Sequence, residues 1–258
     1  RNYKNKDMKS KIKIWQLVIA VITIPIFMGN CTNDSYLIDG GKSNPYYDGT
    51  IMEFLQSRSP KNDPKNDYFS DLIEIIRLAN MEEVFEEENV TFFAPTNWSI
   101  RKSVALLNKM WYQMGNDSIK NLKQIKPSVW REYLSMYILK DKYTLKDIPQ
   151  IDTTAIAAYP GQTFITYGGL PMNVGVVYGD ANGVKYVGPR QILYSYIYDI
   201  TVSDLKNAYV ATSDIQPKNG VVHVLRMTDH DFGFDRRLFA LKAIEEGIDE
   251  LSQINKTE

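Results

Sequence analysis

Two histidines, one cysteine and a row of tyrosines are the side chains in this 258-residue chain whose chemistry invites attention first. His223 sits inside Val221-Val222-His223-Val224-Leu225, where strand alternation puts it on one face with Val221 and Leu225. The expected role there is a core histidine hydrogen-bonded to backbone, not a general base. The segment Asp229-His230-Asp231 resembles two of the three members of a hydrolytic triad, but contiguous loop residues seldom converge on one point and no serine is singled out. Tyr194, Tyr196 and Tyr198 alternate along one strand face and form the aromatic row best placed for ligand contact. The glutamates Glu82, Glu83, Glu86, Glu87 and Glu88 lie on different sides of a helix and lack the alternating ligand spacing of a calcium loop. With one cysteine and two histidines, a single chain forms no internal disulfide and no Cys/His zinc cluster, so no metal or cofactor is expected. Paired carboxylates for glycoside hydrolysis are defined by spatial separation, and nothing in the spacing selects a pair.

Cys31 stands at the end of a leader-like stretch. From Met8, a basic Lys9-Ser10-Lys11-Ile12-Lys13 precedes a nearly uncharged run from Ile14 to Met28. At about 15 residues that run falls short of the roughly 20 a membrane span needs and fits the apolar region of a secretion signal. Met28-Gly29-Asn30-Cys31 resembles the lipobox of bacterial lipoproteins, with Asn30 where a small residue is usual. The resemblance implies cleavage before Cys31 and acyl chains, palmitate among them, on that cysteine. Residues 1–30 are thus read as a lipoprotein signal peptide, with 1–7 upstream of the true start, and 31–49 as a flexible tether rich in Gly, Asn, Pro and Asp. The polar Thr32-Asn33-Asp34-Ser35 is similar to the surface-export signal of Bacteroidetes lipoproteins. The whole chain has a formal net charge of -1, but residues 1–30 hold six basic side chains and one acidic, so the remainder carries 24 basic against 30 acidic. Such a balance disfavours nucleic acid as a partner.

The elements that must position these residues come next. Ile51 to Leu55 reads as a short helical turn, and Ser59 to Asp67 as a proline-punctuated loop. Phe69, Leu72, Ile73, Ile76 and Ala79 recur at helical spacing, and Met81, Val84 and Phe85 extend that face into a second short helix. Phe92-Phe93-Ala94 reads as a strand covered on both faces, Pro95 as its stop, and Thr96 or Asn97 as the cap of a helix with Ile100, Val104, Leu107 and Trp111 on one stripe. Val129 to Leu139 reads as a further helix. Strands are expected at Ala155–Ala158, Thr163–Tyr167, Met172–Tyr178, Val184–Val187, Ile192–Ile200 and Val221–Arg226, with a hairpin turn at Asp180-Ala181-Asn182-Gly183. Arg236 to Leu251 reads as an amphipathic helix with Leu238, Leu241, Ile244, Ile248 and Leu251 on its apolar stripe, expected to pack back on the domain.

Two segments of this order carry a resemblance. Thr91-Phe92-Phe93-Ala94-Pro95-Thr96-Asn97 and, well downstream, Asn219-Gly220-Val221-Val222-His223-Val224-Leu225 are similar to the two conserved motifs of fasciclin (FAS1) domains. The resemblance covers roughly Thr50 to Met227 and implies an α+β fold, a wedge of β-strands with helices packed at one end, here followed by a C-terminal helix. It divides the rest of the chain into a domain at 50–234 and a helix and tail at 235–258. It casts Phe93, Pro95, Thr96, Asn97, Asn219, Gly220 and His223 as fold residues. Ser99 and Ile100 replace the usual alanine and phenylalanine, and Met136-Tyr137 stands where many members carry a Tyr-His pair linked to adhesion, so that role is not carried over. Together with the leader, the resemblance implies a non-enzymatic outer-membrane lipoprotein facing the exterior. As a binding module it would be accessory to a SusC/SusD-type TonB-dependent uptake complex, with those transporter proteins and a glycan or peptide as partners. The alternatives are a surface glycan or peptide hydrolase and a matrix adhesin.

Overall fold

Strand β1 (Val90–Ala94) is buried at all five positions, as a Val-Thr-Phe-Phe-Ala run bounded by Pro95 requires. The computed structural model describes residues 44–60, 63–199 and 204–251, and those from Pro45 onward belong to one compact unit. Cys31, the leader, the tether as far as residue 43 and the tail from 252 lie outside the described residues. β1 pairs antiparallel with β2 (Ile138–Lys140) and parallel with β7 (Gly220–Leu225), in a register that sets Phe93 opposite His223. The remaining strands, β3 (Gln162–Ile165), β4 (Pro171–Tyr178), β5 (Arg190–Asp199) and β6 (Asp204–Ile215), run antiparallel, and the seven-stranded order is β2-β1-β7-β6-β5-β4-β3. A bridge from Leu139 in β2 to Thr166, just past β3, brings the two edges together, so the sheet is nearly a closed barrel.

Among the described residues the α-helices are α1 (Ile51–Ser57), α2 (Ser70–Leu78), α3 (Glu82–Glu86), α4 (Asn97–Gln113), α5 (Pro127–Ser135) and α6 (Arg236–Glu246). α1 starts at a reciprocal capping box between Thr50 and Glu53, and α5 starts at Pro127, which needs no partner for an absent N–H. This arrangement is the expected α+β wedge with a C-terminal helix.

The structure departs from the sequence reading in several places. The helix expected to reach Leu139 ends at Ser135, and residues 138–140 become β2. Ala155–Ala158 is a run of turns, its backbone bonds closing locally, with Ala155 N–H donating to Asp152 O and Ala158 N–H to Ala155 O. Val184–Val187 is also not a strand: Val184 bridges back to Ala181 across Asn182 and Gly183, both at positive φ, and Val184 and Val187 stay exposed. β6 is the strand that periodicity passed over. Its Asp, Lys and Asn content speaks against a strand in isolation, and pairing with β5 and β7 overrides that preference. The last residues of the expected tether are held too, with Tyr47 N–H donating to Gln216 O at 3.0 Å and Gln216 N–H to Pro45 O at 2.7 Å. Finally, the C-terminal helix stops at Glu246, where Gly247 takes φ 91°, and it buries Phe239, Ala240 and Ala243 while Leu238 and Leu241 remain largely exposed.

A candidate binding groove beside the motif corner

The two motif asparagines act across the fold. Asn97 is the first residue of α4 yet does not cap it: its Oδ1 accepts the Asp71 N–H of α2 at 2.9 Å, while its Nδ2 donates to Asp67 O and Ser70 Oγ. Asn219 Oδ1 likewise accepts the first N–H of α1, from Ile51, at 2.8 Å, and its Nδ2 donates to Phe85 O and Glu88 O. Each asparagine thus satisfies a helix-start donor that has no intrahelical acceptor. Gly220 has no room for a side chain, since a Cβ would stand 2.3 Å from Val90 O and 2.6 Å from Ile51 Cδ1. Close packing, not a left-handed backbone, excludes one there.

Both histidines are sealed in the core. His223 Nδ1 accepts the Asp214 N–H at 3.2 Å and its Nε2–H donates to Tyr143 O at 3.0 Å, which defines the neutral tautomer. Burial holds its pKa below the usual histidine range, against the weaker pull of the Tyr143 carbonyl and Asp214. His230 receives the Tyr137 hydroxyl at 2.8 Å, and that oxygen in turn accepts the Gly233 N–H at 2.7 Å. Burial lowers the His230 pKa to about 3. Asp229 and Asp231 turn away to Arg226 and Lys102, so no triad forms at this loop.

The tyrosine row divides. Tyr194 is fully buried, stacks on Phe93 at 3.9 Å between centroids and donates its hydroxyl to Met136 O, so it is a core residue out of reach of any ligand. Tyr196 is half-buried against Phe234, and Tyr198 alone of the three is largely exposed. Among the described residues no His, Cys, Asp and Glu side chains gather in a group that could hold a metal ion.

The concavity that the motif corner does build is a groove of about 430 Å³ between the end of α1, the start of α2 and the β6–β7 pair. Phe54, Phe69, Ile215, Val224 and Leu225 make it apolar, and Thr96 contributes from the corner itself. Thr96, one of the two caps expected from sequence, does stand at the N-cap position of α4, but its Oγ1 makes no capping bond and is buried with no hydrogen-bond partner among the described residues. Arg58, the charged residue of the lining, stands 5.8 Å from the Phe54 ring centroid, and the rim residues Tyr68 and Met227 are 40% and 41% exposed. The rim is braced by Tyr68 N–H donating to Arg58 O and Asn97 N–H donating to Tyr68 O. Arg58, Tyr68 and Met227 were not singled out from sequence, because residues this far apart share no local pattern. Chemically, the groove can hold an apolar body and meet a negative charge at its mouth.

The site thus combines a near-closed mixed sheet, two buried neutral histidines and an open apolar groove at the motif corner. The fasciclin domain model matches residues 67–227, and the chain belongs to that family. Membership points to a non-enzymatic interaction module. No curated protein matches the chain. Among solved structures, a FAS1 domain pair from the insect cell adhesion molecule fasciclin I is similar over 71% of this chain and 50% of its own length, with 14% identity and a TM-score of 0.43. This chain spans half the length of that pair.

Proposed function

We propose that the chain is a lipid-anchored interaction module on the outer face of an outer membrane, held by acyl chains on Cys31 and accessory to a SusC/SusD-type uptake complex. The observation that carries the anchor is positional: the one cysteine of the chain stands directly after a basic-then-apolar leader. Two or three acyl chains, at about 0.8 kcal/mol per buried methylene, give stable membrane attachment. Family membership supports an interaction role over catalysis, and the net negative charge of the part after the leader fits a protein or glycan partner better than nucleic acid.

The test is purification of the tagged chain from detergent-solubilised membranes, with Cys31→Ala alongside. Acyl labelling and membrane retention are expected for the natural chain and lost in Cys31→Ala, and transporter subunits are expected to co-purify only with the former. Lipid labelling that persists in Cys31→Ala refutes the anchor. Turnover of a glycan or peptide by the purified chain, abolished by one carboxylate substitution, refutes the non-enzymatic reading and favours a surface hydrolase. Binding to matrix alone, with no transporter subunit recovered, favours an adhesin.

A further inference from the structure

The groove beside the motif corner has four properties that together select a ligand. Its lining is mostly apolar, with Arg58, Tyr68 and the two threonines Thr96 and Thr212 as its polar members. Its volume of about 430 Å³ lies in the small-molecule range, too small for a helix laid lengthwise. Among the described residues no carboxylate forms an ion pair with Arg58, whose guanidinium carbon stands 5.8 Å from the Phe54 ring centroid at the mouth of the groove. On the lining, Thr96 Oγ1 is a buried hydroxyl still owed a partner, and such groups are few in folded proteins.

We propose that this groove captures the C-terminal end of a peptide, with the terminal apolar side chain against Phe54, Phe69 and Leu225 and the terminal carboxylate at Arg58. The inference rests on reading the chain as a binding module and names the ligand that one of its sites takes. A guanidinium over an aromatic face meets a carboxylate through charge-assisted, two-pronged hydrogen bonds, which a neutral ligand end cannot reproduce. Size favours a chain end over a longer segment, because one or two residues fill the groove. The backbone bonds bracing Tyr68 to Arg58 and to Asn97 keep the rim formed before binding, which lowers the ordering cost of a small ligand.

The test uses the detergent-purified full chain and two probes of one shape, N-acetyl-tryptophan and N-acetyl-tryptophanamide, followed by ligand-observed NMR and calorimetry. The acid is expected to bind at least about tenfold more tightly than the amide, the scale of a charge-assisted bond. Arg58→Gln, at an exposed position, is expected to keep the melting temperature and to erase that difference, while Met227→Glu at the rim is expected to weaken the acid and spare the amide. Equal binding of acid and amide, no saturable binding of either, or a preference that survives Arg58→Gln each overturns the proposal. Tighter binding of decanoate than of N-acetyl-tryptophan makes the occupant a lipid acid and overturns the peptide assignment. Recovery of transporter subunits from membranes is a separate readout, so loss of probe binding with that recovery intact removes this inference and leaves the proposed function standing.

Discussion

Asn219 and Asn97 do from a distance what a capping side chain does locally, and that makes each residue's removal costly in a specific way. Asn219→Ala strands the buried Ile51 N–H and two carbonyls, and Asn97→Ala strands the Asp71 N–H. An unsatisfied buried donor costs about 1 to 3 kcal/mol, so each variant is expected to lose about that much in urea denaturation, with Asn219→Ala the larger. Gly220→Ala forces a Cβ against the Val90 carbonyl and is expected to cost about 1 to 3 kcal/mol. Unchanged midpoints together with lost ligand binding would show that these motif residues serve a ligand and not the fold. The histidines make a second prediction. Both are depressed below their unfolded values, so the neutral state is favoured by folding. Their contribution is fully present above about pH 6.5 and is lost as pH falls from there toward the folded values, about 3 for His230. By pH 5 the His230 loss is about 2 kcal/mol. His230→Gln, which retains an acceptor but does not titrate, is expected to flatten the fall in stability between pH 7 and pH 5.

At the scale of elements, α6 shows how periodicity can name a helix and find only part of its buried face, since Ile244 and Ile248 of the expected stripe do pack against the core. The leucine stripe expected from sequence leaves Leu238 and Leu241 largely exposed, while Phe239 sits among Trp130, Tyr133 and Phe232 at 5.1 to 5.7 Å between centroids. Phe232 and Phe234 each stack on the Tyr137 ring at 5.5 Å between centroids, and Ser103 Oγ donates to Phe232 O, so the segment leading into α6 is locked before the helix begins. Phe239→Ala is therefore expected to cost about 3 to 5 kcal/mol. Leu241→Lys, at 45% exposure, is expected to change stability by no more than about 0.5 kcal/mol. A thermal melt separates the two, and a neutral Phe239→Ala would mean that α6 is only loosely attached.

For the whole molecule, the folding unit is larger than the family match. The match spans 67–227, yet Ile51 in α1 is tied to Asn219, and Phe232, Phe234 and Phe239 complete the core beyond Met227. A chain of residues 67–227 is thus expected to show no cooperative unfolding, while 45–251 is expected to give one sharp transition by circular dichroism and fluorescence. A cooperative 67–227 chain would show that α1 and α6 are additions to a self-sufficient barrel. The parallel pairing of β1 with β7 joins distant parts of the chain, so the longer chain is also expected to refold slowly, on the order of milliseconds to seconds.

The residues alone determined the strand-to-helix corner at Phe92-Phe93-Ala94-Pro95, the core place of His223, the helix after Asp235 and the family fold, because each is written in short-range pattern and composition. The tertiary structure decided the rest. It turned Tyr194 inward onto Phe93, made a strand of β6 by pairing it on both sides, and chose Phe239 over Leu241 as the buried face of α6. It sent Asn97 to α2 instead of its own helix, and it brought Arg58, Thr96 and Met227 to one groove. In every one of these the partner lies far away in sequence, and the energy of burial and hydrogen bonding it supplies outweighs the few tenths of a kcal/mol, roughly, by which local propensity distinguishes the alternatives.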